Sequence, residues 1–189
     1  MNPIIPKLKR LVRNTCKKPT NTAGYGAWTY HIKLVTKYSA KLANLLHADK
    51  EIVEIAAILH DYASVKNQKY DPEHEIIGAE FAQKILEKYQ YPQDKIDLVK
   101  KCILNHRGSR LKSKSSIEEI CVADADAMAH FYAISSLFFL CFYKHKLDIK
   151  DSQIWIWQKL NRSWQKLSPE AQKLIKPHYL AAKLLFSKS

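Results

Sequence analysis

An all-α fold is what this sequence predicts, on three observations. Apolar residues recur at three- and four-residue intervals along most of the chain, no convincing run alternates apolar and polar residues, and helix-start signals precede several of the periodic segments. A length of 189 residues suits one domain with a sizeable core.

The elements follow in order. Ile4 to Lys18 sets Ile4, Leu8, Leu11 and Val12 on one face and Lys7, Lys9, Arg10 and Arg13 elsewhere, which predicts a basic helix packed on the core. Asn21 to Gly26 reads as a loop. A second helix is expected over Trp28 to His47, and a third, capped by Asp49, runs up to His60. Asp71-Pro72-Glu73 predicts the start of a fourth helix, continuing to Tyr89, and Pro92 opens a fifth that ends on His106. Ser116 with Glu119 predicts a capping box for a sixth helix through Asp124, Asp126 and His130. Near the C-terminus Trp157, Leu160, Trp164 and Leu167 share a face, and Ser168-Pro169-Glu170 starts a last helix expected to be interrupted near Pro177.

Composition narrows the function classes. With four glycines and no Gly-rich fingerprint, the nucleotide cradles built from such loops are excluded. Cys16, Cys102, Cys121 and Cys141 are widely spaced and form no CxxC pair, so buried free thiols are expected, as in a reducing cytoplasm. The basic N-terminus is followed by no apolar stretch of secretory type. The longest apolar run, Ala133 to Tyr143, is too short to span a bilayer, so a cytoplasmic protein without a transmembrane segment is expected. A formal net charge of +13 favours anionic partners, with nucleotides, nucleic acid and acidic membrane surfaces all admitted.

Histidine and aspartate gather at the ends of the expected helices: His31 near the start of the second, His60-Asp61 closing the third, His74 opening the fourth, His106 closing the fifth, and Asp124 and Asp126 in the sixth. Imidazole with carboxylate suits a divalent transition metal, and helical bundles commonly build such sites from facing helices. His60-Asp61 ends the apolar run Ile55 to Leu59, where an ionised Asp is costly unless a cation or hydrogen bonds compensate it. Each histidine alone reads as an ordinary core or surface residue; the shared placement of several points to a site. Residues two apart on a helix differ by about 200° around the axis, so Asp124 and Asp126 cannot both ligate one ion. His130, one turn after Asp126, is within reach of the same face, whereas His47, His145 and His178 read as ordinary histidines.

Five segments together resemble the HD-domain metal-dependent phosphohydrolases: Tyr30-His31-Ile32-Lys33-Leu34-Val35, Ala56-Ala57-Ile58-Leu59-His60-Asp61, His74-Glu75-Ile76-Ile77-Gly78-Ala79, Asn105-His106, and Ala123-Asp124-Ala125-Asp126-Ala127-Met128. The resemblance covers roughly Trp28 to Phe131. It implies a helical-bundle HD-like core over about 28–131, with the N-terminal basic helix and the C-terminal helices packed on it in a single domain of residues 1–189. Tyr62-Ala63-Ser64 after the HD pair departs from the family's frequent Ile-Gly-Lys type. The family's last motif resembles Ala-Asp-x-Leu, which favours Asp126 as ligand and leaves Asp124 the alternative or a supporting residue.

The resemblance implies a metal set of His31, His60, Asp61 and Asp126, joined by His74 and His106, holding one or two divalent ions among Mn, Fe, Co, Ni, Zn and Mg. It implies hydrolysis of a nucleotide or related phosphate ester or anhydride by a metal-activated water, with Asp61 as the catalytic carboxylate. Sequence proximity puts Lys66, Lys69, Arg107 and Arg110 forward as phosphate-binding cations, with Lys112 and Lys114 reading as surface charge. Two rival classes remain: a basic helical nucleic-acid-binding protein with a structural metal, and an iron oxygenase on an HD-like scaffold.

Overall fold

In a computed structural model, residues 4–107 and 116–186 are described, and their regular structure is helical throughout. The order is α1 (Ile4–Cys16), a π-helical turn (Trp28–Ile32), α2 (Lys33–Leu46), α3 (Lys50–Leu59), α4 (Tyr62–Lys66), a 3₁₀ turn (Gln68–Glu73), α5 (His74–Lys88), α6 (Gln93–Asn105), α7 (Ile117–Tyr132), α8 (Ile134–Leu140), a second π turn (Cys141–His145), α9 (Ile149–Lys166) and α10 (Pro169–Phe186).

The centre of the bundle is α7. Its Ala-rich sequence lets neighbours approach closely, and ten of its sixteen residues are buried, so it is covered on nearly all sides. It packs against α2, α3, α6, α9 and α10. Helix α3 is the other interior element, buried from Ile52 to Leu59 except at Glu54, and α1 lays Ile4, Ile5, Leu8 and Val12 into the same core. The basic N-terminal helix is therefore a core helix with an exposed cationic back. One buried apolar cluster continues from Ile4 to Phe186. All four cysteines are buried and free.

Several local signals act as expected. The Asp49 side chain accepts hydrogen bonds from the Glu51 and Ile52 amides and caps α3, a contribution of about 1 kcal/mol. Trp157 and Trp164 stack on Tyr179 between α9 and α10, with ring centroids 6.2 and 4.1 Å apart, so these tryptophans are packing residues.

Ser116 caps α7 as expected, accepting the Glu119 amide, and the buried Glu119 carboxylate accepts from Asn105, tying the end of α6 to α7. Two expectations need correction. Asp71 does not begin α5: it lies in the 3₁₀ turn, its carboxylate pairs with Lys144, and the α-helix begins at His74. Helix α10 runs through Pro177 without a break. Proline removes one helical hydrogen bond there, but Ala171 and Ile175 before it and Ala182 and Phe186 after it are all buried, which holds both halves in one line.

The apolar stretch from Ala133 is split from α7 by a bend of 85°, and no single helix among the described residues is long and apolar enough to cross a membrane. Gly78 sits where α5 crosses the end of α3. A Cβ there would lie 3.5 Å from the His60 carbonyl and from Ile103, ordinary contact, so alanine fits.

Asp124 is buried, and its two carboxylate oxygens each lie 3.3 Å from the Ser168 amide at the start of α10. Asp124→Ala should therefore lower unfolding free energy by about 1–3 kcal/mol in urea denaturation, through a part-buried amide left without this acceptor. Metal content of the folded variant should stay at the wild-type level, whereas Asp126→Ala should lower it; the reverse ranking would overturn the assigned register of α7.

Candidate metal centre

Six side chains converge where the ends of α3, α5 and α6 meet the middle of α7. His31 comes from the π turn, whose wide backbone places it above α3; such turns recur at functional sites. His60 and Asp61 occupy the break between α3 and α4. Asp61 stands at φ −104°, ψ 14°, outside regular helix, so the two side chains reach the same space although they are sequence neighbours. His74 is the first residue of α5, His106 follows the last residue of α6, and Asp126 lies on α7.

The distances define two adjoining groups. In the first, His31 Nε2 is 3.1 Å from His60 Nε2, 3.1 Å from Asp61 Oδ2 and 3.3 Å from Asp126 Oδ1, and His60 Nε2 is 3.3 Å from Asp61 Oδ2. In the second, His74 Nε2 is 3.2 Å from His106 Nε2 and 3.4 Å from Asp61 Oδ1. Asp61 thus gives one oxygen to each group. Two nitrogens held by one ion at about 2.0–2.1 Å, at octahedral to tetrahedral angles, stand roughly 2.8–3.4 Å apart. Most of the side-chain distances on both sides of Asp61 are close to that range, while His106 Nε2 to Asp61 Oδ1 at 3.8 Å and His60 Nε2 to Asp126 Oδ1 at 3.9 Å correspond to wider angles at an ion.

Tautomers strengthen the fit. His60 Nδ1 donates to the Ala57 carbonyl at 2.8 Å, His74 Nδ1 to Asp71 at 2.8 Å, and His106 Nδ1 to Ile103 at 2.6 Å. A carbonyl oxygen only accepts, so each ring carries a proton on Nδ1 and turns Nε2, the nitrogen available to a metal, into the cluster. The Nε2 atoms of His74 and His106, 3.2 Å apart, need a proton or a metal ion between them. Burial, reinforced by the neighbouring His60, pushes the His106 pKa down to about 4, which keeps this ring neutral.

The first group has a different way to settle its charge. Burial disfavours the cationic form of His31, but hydrogen bonds to Asp126 and Asp61 outweigh it and push the pKa up to about 10. Burial disfavours ionised Asp61 as well, yet His60 and His31 hold it well below the usual carboxylate range; Asp126 is lowered chiefly by its bond to His31 against the same burial cost.

His130 reaches the edge of the first group: with His31 and Asp126 it forms a third set of donors able to share an ion. Its ring stacks on His31 at 5.8 Å, and its Nδ1 lies 3.2 Å from Ser163 Oγ on α9. His47, His145 and His178 lie outside the cluster, the last two against Trp155 and Tyr132.

A cleft of about 210 Å³ opens over the centre, with Asp126 and His130 on one wall, Lys159, Arg162 and Lys166 of α9 on the other, and Arg107 at the rim. Arg107 is held there by the Pro72 carbonyl at 3.1 Å and Glu75 at 3.3 Å. Burial lowers the Lys159 pKa, with Arg162 and Arg107 acting in the same direction and Asp126 and Asp61 opposing, which places its ammonium in the field of the cluster.

The other sequence-based cations lie differently. Lys66 rests 3.8 Å from the Phe81 ring centroid and Lys69 5.0 Å from that of Tyr70, and neither lines the cleft. Arg110 falls outside the described residues, as do Lys112 and Lys114. Asp124 points away to α10. The cations of α9 escaped the sequence reading because that helix was read by its apolar stripe; their own spacing, 159, 162 and 166, was the available signal.

Metal-free His31 carries a proton at neutral pH, and an ion that takes its Nε2 must displace it. Affinity for a divalent cation should therefore rise with pH across the neutral range, with about one proton released per ion bound at His31. Titration calorimetry of Mn(II) in buffers of different ionisation enthalpy reads this release; zero protons at pH 7 would contradict the charge assignment.

Comparison with known proteins matches the HD domain over residues 28–130. A Clostridium beijerinckii protein described as uncharacterized is 36% identical over 74 residues, which is 38% of this chain and 47% of that protein; the match thus spans about half of that relative's length. Three solved structures share the fold. Bacillus subtilis YpgQ in complex with ADP has a TM-score of 0.70 at 19% identity, covering 97% of this chain and 94% of that one. The Lin1889 protein of Listeria innocua has a TM-score of 0.73 at 20% identity, covering 98% and 92%. An HD-superfamily hydrolase of Bacillus thuringiensis has a TM-score of 0.72 at 22% identity, covering 98% and 94%. With the family match extending over more than half of its length, from the π turn of His31 to His130, this chain belongs to the HD domain family.

Proposed function

We propose that this protein is a metal-dependent phosphohydrolase that acts on a nucleotide or a related phosphate ester or anhydride. The observation that carries the reading is the Asp61 carboxylate, one oxygen in each of two His-lined groups, which is a frame for two adjacent divalent ions. His31, His60, Asp61 and Asp126 would hold one ion, and Asp61, His74 and His106 the other. Bound there, divalent ions supply Lewis acidity toward a phosphoryl oxygen and a water of lowered pKa.

The protein's own contribution is positional. Carbonyl bonds to three imidazole Nδ1 atoms lock the rings, so little reorganisation is needed when substrate enters. Asp61 stays ionised and offers acceptor lone pairs at the junction of the groups, where it orients the attacking water. Arg107, braced by Glu75, presents its guanidinium to phosphate oxygens at the rim. The ADP in the YpgQ complex supports a nucleotide as substrate, as does the charge of +13.

His60→Ala and Asp61→Ala should each lower hydrolysis at least 100-fold and lower metal content while the far-ultraviolet spectrum stays helical. Wild-type protein at saturating Mn(II) should hold two ions per chain, and His74→Ala/His106→Ala one. A screen of nucleotides with added metals, alongside elemental analysis, tests all three. Full activity in either single variant, or oxygen consumption by an iron-loaded protein without phosphate release, would overturn the phosphohydrolase assignment.

A further inference from the structure

Among the described residues, three cations that line the cleft over the metal centre lie on a helix outside the segment that matches the HD domain. On α9, Lys159, Arg162 and Lys166 occupy positions i, i+3 and i+7, one side of the helix, and all three line the cleft over Asp126. The apolar stripe of Ile156, Leu160 and Leu167 is buried roughly 100° around the same segment, so packing fixes which way the adjoining cationic side faces. Ser163 lies between them in sequence and meets His130 at 3.2 Å, which sets the register of the stripe against the centre. Among the described residues no acidic side chain forms an ion pair with Lys159 or Arg162.

Seven residues of helix advance about 10.5 Å along the axis. A single phosphoryl group held at the centre would reach only one end of that row. A chain of linked phosphoryl groups leading away from the centre would meet each cation in turn, through charge-assisted hydrogen bonds and, at Arg162, through a planar fork that suits two oxygens at once.

We propose that Lys159, Arg162 and Lys166 form the binding wall for the non-reacting phosphoryl groups of the substrate, so that this site selects molecules with two or more linked phosphates over monophosphates. The proposal rests on the phosphohydrolase reading for the direction of the chain, but binding is measured without turnover. These residues bind substrate charge and take no part in bond cleavage, so their loss acts on affinity and leaves the chemical step alone.

The test is calorimetric titration of the full-length, metal-loaded protein with methylenediphosphonate, a hydrolysis-resistant pair of linked phosphonates, and with methylphosphonate as the single-group probe. Wild type should bind the diphosphonate at least tenfold more tightly. Arg162→Gln/Lys166→Gln should weaken diphosphonate binding tenfold or more, with methylphosphonate affinity and metal content unchanged within twofold; the exposed Arg162→Gln alone should show part of the same selective loss. Lys41→Gln/Lys101→Gln removes the same charge from exposed positions away from the cleft and should leave both affinities unchanged within twofold. Unchanged diphosphonate binding in the α9 variants, an equal loss for both probes, or an equal loss in the Lys41/Lys101 variant would each overturn the proposal. If charge-number selectivity is present and no phosphate ester or anhydride is hydrolysed, the function reading fails while the α9 assignment stands.

Discussion

Two imidazoles whose Nε2 atoms face each other at 3.2 Å need a proton or a metal ion between them, and the architecture around them is what maintains that arrangement. His74 and His106 are each turned inward by a hydrogen bond from Nδ1 to a carbonyl three residues back, that of Asp71 in the 3₁₀ turn before α5 and that of the buried Ile103 at the end of α6. Ile96, Val99 and Ile103 bury α6 up to the residues before His106. The tie from Asn105 to the buried Glu119 then joins that helix end to α7, which also carries Asp126. The bundle thus holds five donor residues around Asp61 in an arrangement that favours a cation, at a cost carried by hydrophobic burial elsewhere.

The parts of this centre that were legible in the sequence are those whose chemistry conflicts with their surroundings. His60-Asp61 stood out because a charged residue ended an apolar run, and His106 because it continued the stripe of Ile96, Val99 and Ile103. The choice between Asp124 and Asp126 rested on helical geometry and family likeness, and the structure turns the former to the Ser168 amide, 3.3 Å away. Fold class was legible for a related reason: with few glycines and a persistent helical period, no other regular element had residues to build it.

What was hidden depended on tertiary proximity. Asp71-Pro72 carries every local mark of a helix start, yet Lys144, distant in sequence, takes its carboxylate and the turn tightens to 3₁₀. Pro177 marks a helix break by local rules, and buried residues on both sides override it. Lys66 and Lys69 are close to the HD pair in sequence but lie over aromatic rings, while Lys159 and Arg162, about a hundred residues from His60, line the cleft. Cations beside a motif are therefore a poor guide to the groups a substrate meets, because a bundle delivers its walls from remote helices.

Diffraction from crystals soaked in Mn(II), with data collected at the manganese edge, tests the central claim most directly. The account predicts two anomalous peaks per chain, one on each side of the Asp61 carboxylate, with the six side chains retaining their present rotamers. A centre that takes no ion at saturating Mn(II), or a peak that excludes Asp61 from its ligands, would contradict it.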